Sequence, residues 1–419
     1  MNEAALAELS RVLYSPVTLL LYAAAAFLYL YALTTKVGRR EDGAVRGRRA
    51  ELAGLVVAGL GIGAHLAHEV TRGLAQGRLP LGNMFEFTSM MALVGVVVGL
   101  GYLQFVRKRP ELNGFVLMAG TLVLASALLV YSDPGPLMPI LDTWWRTFHV
   151  TVIVIAAGIF TAGFVFNALQ LMRDLAEQRV ADARAQTTVG STVGAAYIGD
   201  LRAGPDPEAG AERDAAASAE TDAVGERVAP DVADGPDGDP DARTAEDEAA
   251  YRTALRAAIS PWRLALGTFL GASTVSWVFI ATPTLPIDQG VAQFLAVNVG
   301  LVAAALIARW FVPFLPAAAT LDGLAYRTIA LGFLGWTFGV ISGAMWAEQS
   351  WGRFWGWDPK ETASFVTWIA YAAYLHARAT AGTRGRGAGW IGLGAFAVLM
   401  FTYYAVNLVF VGLHSYAGL

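Results

Sequence analysis

Long apolar stretches, separated by short polar segments, dominate the chain. Ten of them approach the ~20 residues that a helix needs to cross the ~30 Å hydrocarbon core of a membrane. They cover residues 16–35, 51–70, 84–105, 113–131, 148–171, 264–282, 291–312, 328–346, 361–378 and 389–410. The pattern predicts an all-α fold, a polytopic membrane helical bundle with about ten transmembrane helices. The pair 264–282 and 291–312 also fits a hairpin lying in the membrane plane.

Composition supports a membrane protein. Hydrophobic residues make up 55% of the 419 residues and charged residues 15%, with a mean hydropathy of +0.48. In a soluble domain roughly a quarter of the residues are charged, so this chain is too apolar to be a soluble domain. It is also too apolar to be a disordered protein or a nucleic-acid-binding protein. The chain has no cysteine, which excludes disulfides and thiolate-ligated metals and assigns any thiol chemistry to a partner.

The distribution of basic residues predicts the orientation. Loops 36–50, 106–112 and 378–388 are rich in arginine and lysine, and the positive-inside rule makes such loops cytoplasmic. Both termini and the loop 347–360 then lie on the outer side. The predicted location is the bacterial plasma membrane, with many crossings.

A polar insert separates the apolar stretches into two groups. The tract from Asp200 to Glu248 holds 16 acidic and 4 basic residues, a composition typical of disorder, although a docking segment is the alternative. We therefore expect four regions. They are N-terminal transmembrane helices (1–172), a disordered acidic cytoplasmic loop (173–262), an extra hydrophobic helical pair (263–316) and a C-terminal core (317–419).

The segment 346-WAEQSWGRFWGWDPKE-361 is the densest aromatic region of the chain. Tryptophans are common at membrane–water interfaces. Their clustering between glycines instead favours a platform for a large planar apolar ligand. The platform residues are Trp346, Trp351, Gly352, Trp355, Gly356 and Trp357.

The end of this segment predicts how its helix starts. Asp358, Pro359 and Glu361 fit an N-cap, a proline at the first helical position and the glutamate of a capping box. Arg353 and Lys360 are cations available either to the carboxylates of a ligand or to lipid headgroups.

Three histidines are candidate iron ligands. His149 opens the fifth span and His414 follows the tenth, so the topology places both beside the aromatic segment. Neutral imidazoles ligate iron, and two of them on opposite faces of a macrocycle would fill the axial positions of a haem. His376 lies fifteen residues beyond Glu361, about 22 Å deeper in the membrane, where an ionisable residue is a functional candidate.

Two further pairs allow alternative interpretations. His65 and His68 share one helical face and could serve as a relay, as extra ligands or as helix contacts. Arg72 and Arg78 either pair with propionates or extend to headgroups.

The stretches TWWRTFHV, TLDGLAYRTIALGF, WAEQSWGRFWGWDPKETASFVTWIAYAAYLHAR and VNLVFVGLHSYAGL resemble the CcsA/ResC-type proteins (also labelled CcsB) of system II cytochrome c biogenesis. These are haem-handling membrane proteins with a WWD loop. The resemblance implies haem b as substrate and bound ligand, with His149 and His414 as axial ligands of the haem iron. His376 would share its haem iron with a ResB-like membrane partner. The WWD motif covers Trp351, Gly352, Trp355, Trp357, Asp358, Pro359, Lys360 and Glu361.

The resemblance also implies that the chain is a subunit of a holocytochrome c synthase (cytochrome c haem lyase). Such a subunit delivers haem for thioether attachment to the CxxCH motifs of an apocytochrome c. A thioredoxin-like thiol reductant is a further implied partner. The family usually has about eight spans, so the acidic tract and the helical pair 263–316 depart from its pattern. A system I haem-transfer subunit, a transporter with an aromatic outer gate and a b-type electron carrier remain alternatives.

Overall fold

The computed structural model describes residues 2–36, 41–137, 141–200, 245–283, 285–380 and 385–413. Within these ranges every regular element is a helix. A helix satisfies all its backbone hydrogen bonds within one segment, which an apolar stretch in lipid requires. The predicted all-α membrane bundle is confirmed.

The α-helices of the described residues number thirteen. They are α1 (Glu3–Val12), α2 (Leu19–Lys36), α3 (Glu41–Gln76), α4 (Met84–Gly101), α5 (Asn113–Ala127), α6 (Trp144–Asp200), α7 (Ala245–Ala257), α8 (Pro261–Ser276), α9 (Val278–Ala281), α10 (Ile287–Phe311), α11 (Ala318–Trp351), α12 (Pro359–Ala379) and α13 (Arg386–Leu408). A π-helical segment, Leu13–Thr18, joins α1 to α2.

Nine stretches of the described chain are long and apolar enough to cross a membrane. They correspond to all the predicted spans except 361–378. That range does form a helix, α12, but polar residues at both of its ends, among them Lys360 and Arg378, lower its hydropathy. The protein is therefore a multi-pass membrane protein with nine strongly apolar helical stretches and a more polar α12.

The chain divides into two compact units, Met1–Ala176 with Ile259–Leu419, and Glu177–Ala258. The described part of the second unit is helical where the sequence predicted disorder, since α6 continues to Asp200 and α7 follows. An i,i+4 ion pair of 2.9 Å between Arg252 and Glu248 stabilises α7. The centre of the acidic tract, residues 201–244, lies outside the described residues.

In the first unit, α6 packs closely against α4 and α11. A Cβ atom on Gly158 of α6 would lie 2.9 Å from the Gly95 nitrogen of α4, so the two backbones touch. Farther along, the Phe160 ring stacks on Tyr371 of α12 and contacts Trp336 of α11. These contacts bring the first turns of α6 and α12 to the last turns of α11.

Candidate functional site

An apolar cavity of about 180 Å³ lies where the first turns of α4, α6 and α12 meet the last turns of α11 and α13. Most of its lining side chains are apolar, including Trp336, Trp346 and Trp355. Its titratable side chains are Arg146, His149, Lys360, Glu361 and Tyr403. A small polar set facing an apolar space is the usual form of a ligand-binding pocket.

Three contacts fix the imidazole of His149. Its Nδ1 donates a hydrogen bond of 2.7 Å to the Gly339 carbonyl oxygen of α11. The ring lies 6.1 Å from the Trp346 ring, with 23° between the planes. It also fills the space above Gly343, where a Cβ atom would lie 2.7 Å from the His149 Cε1. Because a carbonyl can only accept, the lone pair is on Nε2, the tautomer that a metal-ligating histidine needs.

The four tryptophans of the aromatic segment differ in their surroundings. Trp346 is buried on α11 and contacts Trp351, the last residue of that helix, at 5.2 Å between ring centroids. Trp355 lines the cavity. Trp357 is 67% exposed and has a left-handed φ of 59°, with its ring 5.7 Å from that of Trp355. The cavity is therefore lined by Trp346 and Trp355, and Trp357 presents its ring to the surroundings.

The two glycines of the segment serve the geometry of the loop. Gly352 ends α11 in a left-handed conformation with φ 67°, and its N–H donates to the Glu348 oxygen at 2.8 Å. Gly356 lies under the guanidinium of Arg353, since a Cβ atom there would fall 1.5 Å from the Arg353 Nη1. The contacts thus show how both glycines serve the fold of the loop itself.

The capping box is confirmed. Asp358 and Glu361 make the two reciprocal contacts at the start of α12, and Pro359 occupies the first turn. The Glu361 carboxylate also accepts the Gly356 N–H at 2.7 Å and pairs with Arg353 at 3.3 Å. Arg353 therefore forms an ion pair with Glu361, in the first turn of the helix that follows the aromatic segment.

The Asp358 carboxylate has a second role. Its Oδ1 accepts the backbone N–H of Leu413 at 2.6 Å, and Gly412 packs directly on the same side chain. The segment that follows α13 is thereby tied to the aromatic loop. Leu413 immediately precedes His414, which itself lies outside the described residues.

Two cations face the cavity. Arg146, which we did not predict as a site residue, is 5% exposed and donates to the Leu81 carbonyl oxygen. Lys360 stands just before the predicted span 361–378. Burial lowers the pKa of Lys360 to about 8. The positive charge of Arg146 also lowers this pKa, whereas the negative charge of Asp358 raises it. Together the two side chains give the apolar cavity positively charged donors of the kind that bind carboxylates.

The sequence carried one signal for Arg146. It precedes His149 by three residues in TWWRTFHV, so both side chains share a face of α6.

The predicted residues Arg72 and Arg78 are not among the residues that line the cavity. Both pair with the fully buried carboxylate of Glu86, each at 2.9 Å. Arg72 also donates to the Ser132 carbonyl oxygen at 2.7 Å, and Arg78 to that of Gly135 at 3.1 Å. These contacts favour a structural role, the anchoring of the loop before α4.

The structure does not bring His376 to the cavity. Its side chain lies on an exposed face of α12, about four turns from the first turn of that helix. His65 and His68 are buried among α1, α2, α3 and α4 and do not line the cavity either.

Comparisons with known proteins address the C-terminal part of the chain. Residues 259–414 match the family described as cytochrome C assembly protein. The match includes the helical pair 263–316, which we expected to be an addition to the family pattern.

Three proteins, each named cytochrome c biogenesis protein CcsA, show the degree of similarity. The one from Synechococcus sp. (strain RCC307) is 51% identical over 96 residues, which are 23% of this chain and 31% of that relative. The one from Prochlorococcus marinus is 50% identical over 96 residues, 23% of this chain and 30% of the relative. The one from Microcystis aeruginosa is 50% identical over 99 residues, which are 24% of this chain and 30% of the relative.

The chain thus spans about a third of the length of these relatives. Within that span the similarity is high, and it agrees with the motifs on which the resemblance rested. The C-terminal part of this chain is therefore similar to the CcsA-type cytochrome c biogenesis proteins.

Proposed function

We propose that the chain is the membrane subunit of a system II cytochrome c synthase and holds haem b at the cavity of His149. One observation carries the proposal. The imidazole is fixed by the Gly339 carbonyl with its lone pair on Nε2, against Trp346 and beside two cations. Imidazole suits the iron, aromatic rings suit the porphyrin face and cations suit the two propionates.

The size of the cavity suits a synthase. About 180 Å³ is less than the roughly 300–1,000 Å³ that encloses a drug-sized ligand. The cavity therefore holds part of a porphyrin and leaves the remainder exposed to an apocytochrome. Phe354 lines the cavity with an exposed ring, and the exposed ring of Trp357 lies 5.7 Å from that of the lining residue Trp355.

The chemistry of attachment needs no thiol from this chain. Each cysteine S–H of a CxxCH segment adds across a vinyl C=C bond, forming a C–S bond while the hydrogen goes to the neighbouring carbon. His149 and His414 hold the iron, and the CxxCH histidine replaces one of them. Proximity then lowers the barrier by several kcal/mol. A thioredoxin-like reductant keeps the substrate cysteines as thiols.

A partner subunit completes the pathway in this proposal. His376 lies on an exposed face of α12, where a ResB-like membrane protein would contribute the second ligand of an inner haem site. Haem moves from there to the cavity of His149 on the outer side of the bacterial plasma membrane.

A pair of alanine substitutions on α11 tests the haem site. In Gly343→Ala the new Cβ displaces the His149 ring, so we expect haem affinity to fall about 10–100-fold, as for other changes that misorient a ligating histidine. Gly323→Ala is the matched control, because its Cβ meets no atom within 4 Å. The measurement is haem titration of the purified chain by visible spectroscopy. Equal affinities in the two variants would contradict the assignment of His149.

Lys360 gives haem binding a predicted pH dependence. With a pKa of about 8, Lys360 is charged below pH 8 and neutral above it. Binding of a carboxylate ligand should therefore weaken by up to about tenfold as the pH rises from 7 to 9, because the charged fraction of Lys360 falls about tenfold over this range. In Lys360→Arg the charge persists and the dependence should vanish. Haem dimethyl ester is the control ligand, and an equal pH response of haem and its ester would refute a propionate contact.

A further inference from the structure

A second group of buried polar side chains lies in the N-terminal helices. It comprises Ser10, Tyr22, His65, His68, Glu69 and Ser89. The exposed fractions of His65, His68 and Glu69 are 0%, 1% and 5%. None of the six lines the cavity of His149. Ionisable groups inside a membrane bundle are rare and expensive, and are functional candidates by default.

Four of these residues form one hydrogen-bonded chain from α2 through α3 to α4. The Ser89 hydroxyl donates to the Glu69 Oε1 at 2.6 Å. The hydroxyl oxygen must then accept the His65 Nε2–H, at 3.0 Å. The other ring nitrogen of His65, Nδ1, accepts from the Tyr22 hydroxyl at 3.1 Å. All three bonds point the same way, and the chain ends on the carboxylate of Glu69.

His68 has a fixed tautomer as well. Its Nδ1 lies 2.9 Å from the Ser10 carbonyl oxygen, which can only accept, so this nitrogen carries the hydrogen. The Ser10 hydroxyl lies at the same distance from Nδ1. The lone pair of His68 is therefore on Nε2.

The cluster has more acceptors than donors. The His68 Nε2 and the Glu69 Oε2 are buried, and neither atom has a hydrogen-bond partner among the described residues. The two acceptors belong to successive residues of α3. Buried acceptors without a donor are costly, and a proton on either group converts that group into a donor.

We propose that these residues form a membrane-embedded proton-binding site, in which His68 and Glu69 hold one exchangeable proton. The proton comes from water and forms an O–H bond at Glu69 or an N–H bond at His68, with no oxidation or reduction. The chain from Tyr22 to Ser89 donates to Glu69 and so stabilises the unprotonated carboxylate. The site is separate from the haem cavity and does not depend on its assignment.

Other titratable and charged groups also face the pair. Tyr14 of the π-helical segment packs on His68 with 4.8 Å between ring centroids, and Glu69 acts on it electrostatically. Tyr22 of α2 interacts electrostatically with Glu69. Arg72 of α3 interacts electrostatically with His68. From α4, Glu86 pairs with Arg72. Tyr403 and Tyr404 of α13 act on Tyr14.

Infrared difference spectroscopy tests the site on the full chain in lipid nanodiscs. Spectra at acidic and alkaline pH are compared for protein grown with ¹³C-carboxyl glutamate and with unlabelled glutamate. We expect the protonated carboxyl bands, which shift with the label and with D₂O and disappear as the pH rises, to include one band from Glu69. Glu69→Gln should remove this band. Glu8→Gln, on an exposed side chain of α1, should leave it unchanged.

His68→Gln provides a second variant if Glu69→Gln does not fold. Loss of the His68 lone pair should change the Glu69 band, because both groups bind the same proton in this proposal. A pH-dependent glutamate spectrum that is identical in the wild type and in Glu69→Gln overturns the proposal. So does a signal of a buried water that is the same at every pH.

Discussion

A His149→Gly variant will lose most of its bound haem, and cytochrome c maturation will fall about 100-fold or more. The estimate follows because even a group that only orients a metal-ligating histidine is worth roughly 10–100-fold. Glycine removes the imidazole that the Gly339 carbonyl and Trp346 hold at the cavity. The measurements are haem content per purified chain and covalent haem on a reporter cytochrome c.

Two controls make this result specific. Phe148→Ala changes the neighbouring side chain, which is 42% exposed, and should retain both haem and activity. Free imidazole added to His149→Gly should restore haem binding in part, because it can occupy the vacated ligand position. Unchanged haem content and maturation in a variant that carries both His149→Gly and His414→Gly would exclude the site.

Asp358→Ala is expected to have the second largest effect. The substitution removes the N-cap of α12 and the acceptor of the Leu413 N–H together. Loss of an N-cap costs about 0.5–2 kcal/mol and loss of a hydrogen bond to a charged group about 1.5–3 kcal/mol. We expect a lower melting temperature and, because the segment before His414 is no longer held, at least about tenfold weaker haem binding.

Asp358→Asn removes only part of these interactions. Asparagine has one acceptor oxygen in place of two and no charge, so it can keep either the Leu413 contact or the cap of α12. Its haem affinity and melting temperature should therefore lie between those of the wild type and Asp358→Ala. If Asp358→Ala binds haem as the wild type does, the tether at Leu413 has no part in the site.

Local contacts at the site followed from the sequence. Asp358, Pro359 and Glu361 act within one turn of a helix, so their spacing predicted the capping box that is found. The histidine tautomers did not follow, since the Gly339 carbonyl is 190 positions from His149 in the chain. Arg72 and Arg78 show the same limit. Their charges suggested a ligand, and only the fold reveals that Glu86 is their common partner.

The helical character and nine of the ten predicted apolar stretches followed from the sequence alone, because lipid leaves an apolar segment only a helix to satisfy its backbone. The aromatic motif likewise indicated the family to which the C-terminal part is similar. Tertiary packing decided which polar groups meet. The close approach of α4, α6, α11 and α12 sets Arg146 and Lys360 at the cavity of His149. The packing of α1, α2 and α4 against α3 joins His65, His68 and Glu69 to the other members of a separate cluster. Contacts of this kind depend on how distant segments of the chain pack together. A local pattern of residues contains no information about that packing.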